Sequence, residues 1–435
     1  MTVAWRIAAL ALLSALAAPA LEREPWDAFQ ARRRELAAQH PEGITVLFGF
    51  SESQGVATRS SFRQENNFYY LTGCNEPDAT LLLLPGKDGV AYREILFLPA
   101  RDARQERWSG PRVVPGDDGI AAKTGFTDVR NSSEFNGLLR QALETYSQVY
   151  ALLPQPPSYG HLPEPDAGER LANVRRDLRP RDLRPSLARM RTVKSEGEIR
   201  LIQKATNATM QAHRAAWSTI RPGLMEYEVA GRMAGRLLEH GCERLAYPAI
   251  VGAGANAAIL HYIANTEKLR DGDLVLMDVG GEYSNYAADI TRTVPVSGRF
   301  NPRQKELYNL VLGAQKAALQ AVKPGMRLGG HGGGSLTQVA GDYLNSHGKD
   351  RSGKPLGPYF FHLIGHQVGL EVHDPGADEE LKAGMVITIE PGLYLPEEGI
   401  GIRIEDMVLV TKDGATLLSE GLPREAEEIE AAMRR

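Results

Sequence analysis

At 435 residues the chain is too long for one ordinary domain and long enough for two good cores. Its apolar fraction of 43% and charged fraction of 24% are those of a soluble globular protein. A net charge of −4 and a pI near 6.2 argue against nucleic acid as a partner.

The first twenty residues differ from the rest. Arg6 precedes an apolar stretch at 7–18, and Ala18-Pro19-Ala20 supplies a small-residue cleavage site. That is the pattern of a secretory signal, with a buried N-terminal helix as the competing reading. The stretch is too short for a membrane span, and no later apolar run is long enough. No Cys follows the cleavage site to carry a lipid. An exported protein, periplasmic or secreted, is expected.

Residues 24–185 read as an α/β N-terminal domain. Helical apolar spacing covers 26–38. Short apolar strand candidates follow at 44–50, 79–84, 94–98 and 148–153, bounded by Gly, Pro or Asp. A Pro- and Gly-rich stretch at 155–169 reads as a surface loop, and 178–185, with two prolines, as a linker. Basic runs at 32–34 and from Arg175 to Arg184 read as solvated faces. Cys74 and Cys242, the only cysteines, fall in different domains and read as unpaired structural residues.

The second domain, 190–435, begins its first helix at Ser195, where Ser195 and Glu198 form a capping box. Arg221-Pro222-Gly223 stops that helix. A second runs to His240 and ends at Gly241. A third starts at Asn301 with Pro302 in first position and stops at Pro324-Gly325. A fourth starts at Ser335, with Gln338 completing another box. Strands are expected at 274–279, 385–389 and 402–410. Helices outside and a sheet inside imply an α+β domain. No internal repeat is visible.

Five residues in this half read as one metal site: Asp278, Asp289, His366, Glu390 and Glu405. Their segments are LVLMDVGGEYSNYAADITRT (274–293), FHLIGHQVGLEVHD (361–374), TIEPGLY (388–394) and GIRIEDMVLV (401–410). A carboxylate inside an apolar strand is costly without a partner. Arg292 and Arg403 are the obvious counter-ions. Four carboxylates and one imidazole leave −2 around one divalent cation and balance around two, so a paired-metal hydrolytic site is the economical reading. Asp278 and Asp289 flank Gly280, Gly281 and Asn285 and would face each other across a β-hairpin. His362 and His366 have the spacing of a helical zinc pair, but Leu363 stands where such a site needs Glu. A rival reading is the G-x-G-x-x-A run at 252–257 with Asp271 or Asp273 beyond it, as in a dinucleotide fold. The segment 258–266 makes a poor helix, which disfavours it. The glycines at 329–334 are not followed by Gly-Lys-Ser/Thr.

These segments resemble the creatinase/methionine-aminopeptidase superfamily, the pita-bread fold, and more narrowly the Xaa-Pro peptidases. FRQENNFYYLTG (62–73), EPDA (76–79) and Arg101-Asp102 with Glu106, Trp108 and Gly110 resemble the N-terminal domain of aminopeptidase P. The resemblance implies an α+β pita-bread catalytic domain holding two divalent ions, Mn²⁺ first and Co²⁺ or Zn²⁺ as alternatives. Asp289 and Glu405 would bridge them, with Asp278 on one side and His366 and Glu390 on the other. It implies that metal-activated water attacks the carbonyl before proline, that Glu390 passes a proton to the leaving nitrogen, and that His373 and His261 polarise the carbonyl. His362 would line the proline pocket. The implied partners are a peptide beginning Xaa-Pro and further copies of the chain, as a dimer or tetramer. An Xaa-Pro dipeptidase is the alternative activity, and a non-catalytic peptide-binding protein a more distant one.

Overall fold

The structure, a computed structural model, describes residues 22–54, 62–86, 89, 91–154, 166–329, 334–376 and 380–434. The signal-like segment lies outside the described residues, as do most of the 155–169 stretch and of the glycine cluster at 329–334. No helix among the described residues is long and apolar enough to cross a membrane.

Six strands form one mixed sheet in the N-terminal domain: Gly43–Phe48, Thr80–Leu84, Arg93–Leu98, Val129–Asn131, Gln148–Ala151 and Arg181–Asp182. The middle pairs are antiparallel and the pairs toward both edges parallel. Gly43–Phe48 and Thr80–Leu84 are buried along their whole length. Burial on both faces explains why they read as continuous apolar runs. Ile44, Val46 and Phe48 pack with Phe135, Leu139 and Leu171 on one face. Leu47, Leu81 and Leu83 join Leu36 and Phe68 in a core that continues into the catalytic domain.

Three expectations for this half change. The stretch at 178–185 is structural: Arg181–Asp182 extends the sheet, and Arg184–Thr192 is a helix. Pro185 sits in its first turn, where a missing N–H costs nothing. Residues 167–169 likewise open the helix Ala167–Val174, capped by Asp166. The run at 32–34 is not a solvated face. Arg32 and Arg33 are buried on the helix Trp26–Gln39. Arg32 pairs with Glu24 and, at 3.2 Å, with Glu198 of the catalytic domain, while Arg33 meets Glu94 at 2.9 Å. Arg175, Arg176, Arg179 and Arg181 are exposed. Cys74 and Cys242 are buried, with no disulfide between them.

The second half is α+β, as the pita-bread resemblance implies. Two helix pairs, Glu196–Trp217 with Glu226–Glu239 and Pro302–Ala321 with Leu336–His347, pack on short antiparallel sheets. The order helix, helix, strands occurs twice, although no repeat is visible in the sequence. The capping box at Ser195 forms as expected. At Ser335 it does not close: the hydroxyl accepts from the Gln338 N–H, but the Gln338 side chain accepts from Gly334.

Two further differences shape the site. The apolar run at 402–410 is two strands, Ile400–Arg403 and Asp406–Val410, in different sheets, with Ile404 and Glu405 at the break. The single hairpin expected around Asp278 and Asp289 is two nested ones. Leu274–Asp278 pairs with Thr291–Pro295 and places Asp278 opposite Thr291. Inside it, Gly281–Tyr283 pairs with Tyr286–Ala287 in another sheet. Ser284 and Asn285, at φ 51° and 69°, make the two-residue turn. Gly280 permits the crossover, because a Cβ there would lie 1.8 Å from the Ala288 oxygen.

Candidate metal centre

The four carboxylates stand where strands stop. Asp278 ends its strand, Asp289 lies two residues before Thr291, Glu390 follows Val386–Ile389, and Glu405 occupies the break before Asp406. His366 comes from an irregular segment, not a helix, so the paired-histidine zinc geometry is absent. That segment is pinned to the strand bearing Glu390. The His366 N–H donates to Thr388 Oγ1 (3.0 Å), the Thr388 N–H to His366 O (2.9 Å) and the Glu390 N–H to Ile364 O (2.8 Å).

The side chains converge. Ligating atoms of Asp289, His366 and Glu405 all lie within 4.8 Å of one another. His366 Nε2 is 3.4 Å from both Asp289 Oδ2 and Glu390 Oε1. Its Nδ1 lies 3.1 Å from Gln367 O, which can only accept, so Nδ1 carries a hydrogen and Nε2 faces the carboxylates. Tyr247 donates its hydroxyl toward Asp278 (2.6 Å) and also contacts Asp289. Thr291 donates to Glu405 (2.6 Å) and Thr388 to Glu390 (3.0 Å).

Charge is unbalanced. Arg403 donates to Asp278 at 2.6 Å. Arg292 turns away from the ligand carboxylates: it pairs with Asp406 (2.7 Å) and donates to the Glu405 main-chain oxygen (2.6 Å). One arginine thus faces four acids. Burial pushes the Asp278 carboxyl up, but the Arg403 charge and the Tyr247 bond outweigh it and leave it below its usual range. Burial and the neighbouring carboxylates push Asp289 and Glu405 well above theirs. Glu390 is raised, by burial first, against the opposing pull of His366 and Arg403. Buried acids that raise one another's pKa, gathered beside an imidazole, call for a cation. Oxygen donors with one imidazole and no thiolate fit a divalent metal.

The three other histidines expected at the site differ in their surroundings. The rings of His373 and His366 are 4.1 Å apart, tilted by 65°, and His373 is exposed. His261 is exposed between the exposed Ile259 and Ile263. Both nitrogens of His362 are engaged, Nδ1 with Leu363 O (2.8 Å) and Nε2 with the Tyr394 hydroxyl (2.9 Å). Arg403 donates to that hydroxyl at 2.9 Å, so the chain runs Arg403 to Tyr394 to His362 to the Leu363 carbonyl. Burial holds the His362 pKa down to about 4, with the Arg403 charge adding to it. His362 is therefore neutral and presents a ring face, beside Phe360, Phe361 and Tyr394.

The dinucleotide reading fails on geometry. Ile250–Ala253 is followed by a 3₁₀ turn, not by a helix. The Ala253 N–H and Asn256 Nδ2 donate to buried Glu226, so part of the loop's donor set is already used.

Tyr247, Thr291, Thr388 and Gln315 were not singled out from sequence. Gln315 is fully buried beneath the site, with Nε2 3.2 Å from Ile389 O, 3.1 Å from Ile404 O and 2.9 Å from Asp406 Oδ2. Lone neutral polar residues carry no charge-balance signal. Only Thr291 and Thr388, within two residues of a ligand, were open to notice.

Comparison with known proteins agrees with this geometry. Residues 200–412 match the model of metallopeptidase family M24, and residues 29–150 that of the aminopeptidase P N-terminal domain. The Xaa-Pro aminopeptidase of Haemophilus influenzae is 36% identical over 434 residues, covering 94% of this chain and 97% of the relative. That of Escherichia coli is 35% identical over 439 residues, covering 93% and 97%. Among solved structures, zinc-substituted Escherichia coli aminopeptidase P in complex with product matches with a TM-score of 0.79 at 33% identity, over 95% of this chain and 100% of that one.

Proposed function

The chain belongs to metallopeptidase family M24, with an aminopeptidase P N-terminal domain ahead of the catalytic one, and from that premise we propose that it releases the N-terminal residue of peptides with proline in second position. The observation that carries this reading is the cluster of four carboxylates and His366, in a chain similar along both domains to Xaa-Pro aminopeptidases.

Two divalent ions per chain are the proposed complement, because two balance the acids where one leaves −2. Oxygen-rich ligation favours Mn²⁺, with Co²⁺ or Zn²⁺ as alternatives. Asp278, Asp289, His366, Glu390 and Glu405 would hold the ions. Bound there, the metal supplies Lewis acidity and lowers the pKa of water toward neutrality.

The chain's own groups do the rest. Glu390, its Oε1 3.4 Å from His366 Nε2, would take the proton released by the attacking water and pass it to the leaving proline nitrogen. That nitrogen belongs to a tertiary amide without its own hydrogen, so departure requires protonation. His373, whose ring lies 4.1 Å from that of His366, and His261 would donate to the scissile carbonyl oxygen as it gains charge. The ring faces of Phe361, His362 and Tyr394 form an apolar wall for the pyrrolidine ring.

The test compares a Xaa-Pro-Xaa tripeptide, its Xaa-Ala-Xaa analogue and a Xaa-Pro dipeptide, with Mn²⁺ present. Release of one residue from the proline tripeptide, with kcat/KM falling sharply for the alanine analogue, is the expected result. Equal rates on both tripeptides would refute the proline assignment, and activity confined to the dipeptide would make the protein a dipeptidase. Export is proposed from the signal-like start, with cleavage after Ala20. An intact N-terminus on protein from the native cell would count against it. A dimer or tetramer is the proposed assembly, to be read by light scattering.

A further inference from the structure

We propose that Arg191 and Arg63 are positioning residues for His373, so that the N-terminal half of the chain holds one of the groups that act on the scissile carbonyl. The proposal rests on the role given to His373 above.

His373 sits on a stretch, 369–374, that belongs to no helix or strand. The ring is exposed and meets the His366 ring at 4.1 Å. What fixes the stretch comes largely from elsewhere. Arg191, in the last turn of the helix Arg184–Thr192, is fully buried. Its Nη2 donates to Glu371 Oε1 (2.8 Å) and Asp374 Oδ1 (2.6 Å), the acids on either side of His373. Asp374 also receives Lys194 Nζ at 2.9 Å, and its Oδ1 accepts the Glu371 N–H at 3.1 Å, which closes the turn. Gly369 makes room for that carboxylate, since a Cβ there would lie 2.6 Å from Asp374 Oδ2.

The second arginine grips the other end. Arg63 Nη2 donates to Leu370 O at 2.9 Å, while its Nε is held by Glu282 at 2.9 Å. Asn67, four residues on and in the helix Asn66–Thr72, accepts from Arg191 Nη1 at 2.8 Å. Arg63 and Asn67 both belong to the FRQENN stretch, to which the catalytic cluster assigns no task. Two arginines and one asparagine thus tie the N-terminal domain and the connecting helix to three residues next to His373. Lateral freedom of that turn would carry the imidazole away from the carbonyl, and a misplacement of about 1 Å can cost on the order of 100-fold in rate.

The experiment is a double-mutant cycle between Arg191→Lys and His373→Ala in the Mn²⁺-loaded full chain, read by kcat, KM and bound metal. A lysine keeps the charge but cannot span both acids. Arg191→Lys should lower kcat by roughly tenfold or more, with KM and bound metal near the parent. In the His373→Ala background the same change should cost almost nothing, because the two residues act on one interaction. An equal loss in both backgrounds, or a parental kcat, would overturn the proposal, since a structural role adds independently of His373. If His373→Ala itself leaves kcat unchanged, the role of His373 falls and the proposal falls with it. If it lowers kcat and Arg191→Lys does not, only the proposal falls. Should Arg191→Lys not fold, Arg63→Lys, which gives up the reach to Leu370 O, enters the same cycle with the same outcomes.

Discussion

Gln315→Leu separates a stabilising contact from a metal-organising one. The side chain is fully buried on the helix Pro302–Ala321, and Leu fills a similar space. Two amide hydrogens are shared among the carbonyls of Ile389 and Ile404 and the Asp406 carboxylate. Asp406 keeps Arg292 and Ser419. The two carbonyls lose a donor, at about 1–3 kcal/mol each. Gln315 Oε1 has no partner among the described residues, so removing it returns about the same for one group. The net loss in metal-free protein is then about 1–3 kcal/mol. Those carbonyls belong to the residues just before Glu390 and Glu405. Loss of a supporting bond of this kind typically weakens metal affinity by about 10–100-fold. At fixed metal concentration the stabilisation by metal should fall by about a further 1.4–2.8 kcal/mol. Calorimetric Mn²⁺ titration of chelator-treated protein, with urea unfolding in chelator and in metal, reads both quantities. A variant destabilised equally in the two conditions, with parental Mn²⁺ affinity, would refute the tether.

Tyr247→Phe removes the hydroxyl held between Asp278 and Asp289 while keeping the buried ring, and should weaken metal binding by roughly tenfold with the fold intact on circular dichroism. His366→Ala should lose bound metal on elemental analysis, whereas parental content would remove it from the ligand set. Active parent protein should carry two divalent ions per chain, and full activity with one would sink the charge-balance argument. His213, fully buried with Nε2 3.0 Å from Ile290 O, has its pKa lowered to about 3 by burial and then by the Arg292 charge. The unfolded chain takes up a proton near pH 6.5 that the folded one refuses, so this contribution is full above pH 6.5 and declines as pH falls toward 3. By pH 5 the loss amounts to about 2 kcal/mol, and His213→Gln should not show it; the same urea midpoint shift between pH 7 and pH 5 in both proteins would refute this.

The carboxylates and His366 were legible because acids in apolar strand sequence demand a counter-charge, and that demand is local. Their partners were not. Tyr247 lies 31 residues from Asp278, and Gln315 reaches residues 74 and 89 positions away. Nothing in a neutral side chain announces such a contact. Arg32 and Arg33 misled for the converse reason: a basic run reads as solvated until Glu24, Glu94 and Glu198 are brought to it in space. The run at 402–410 has strand-like sequence throughout. Where it leaves one sheet and enters another is set by tertiary pairing, with the Glu405 N–H donating to Thr291 O at 3.1 Å.

The buried ion pairs between the halves constrain inheritance. Arg32 and Arg63 lie in the N-terminal domain and Arg191 in the connecting helix, whereas Glu198, Glu282 and Asp374 lie beyond that helix in the catalytic domain. Arg191 and Asp374 are each only 1% exposed along the side chain. A recombination that swapped the first half for one lacking these cations would strand carboxylates in the interior, at about 3–5 kcal/mol for each broken pair. Successful chimeras should therefore be those in which each arginine crosses over together with its acid.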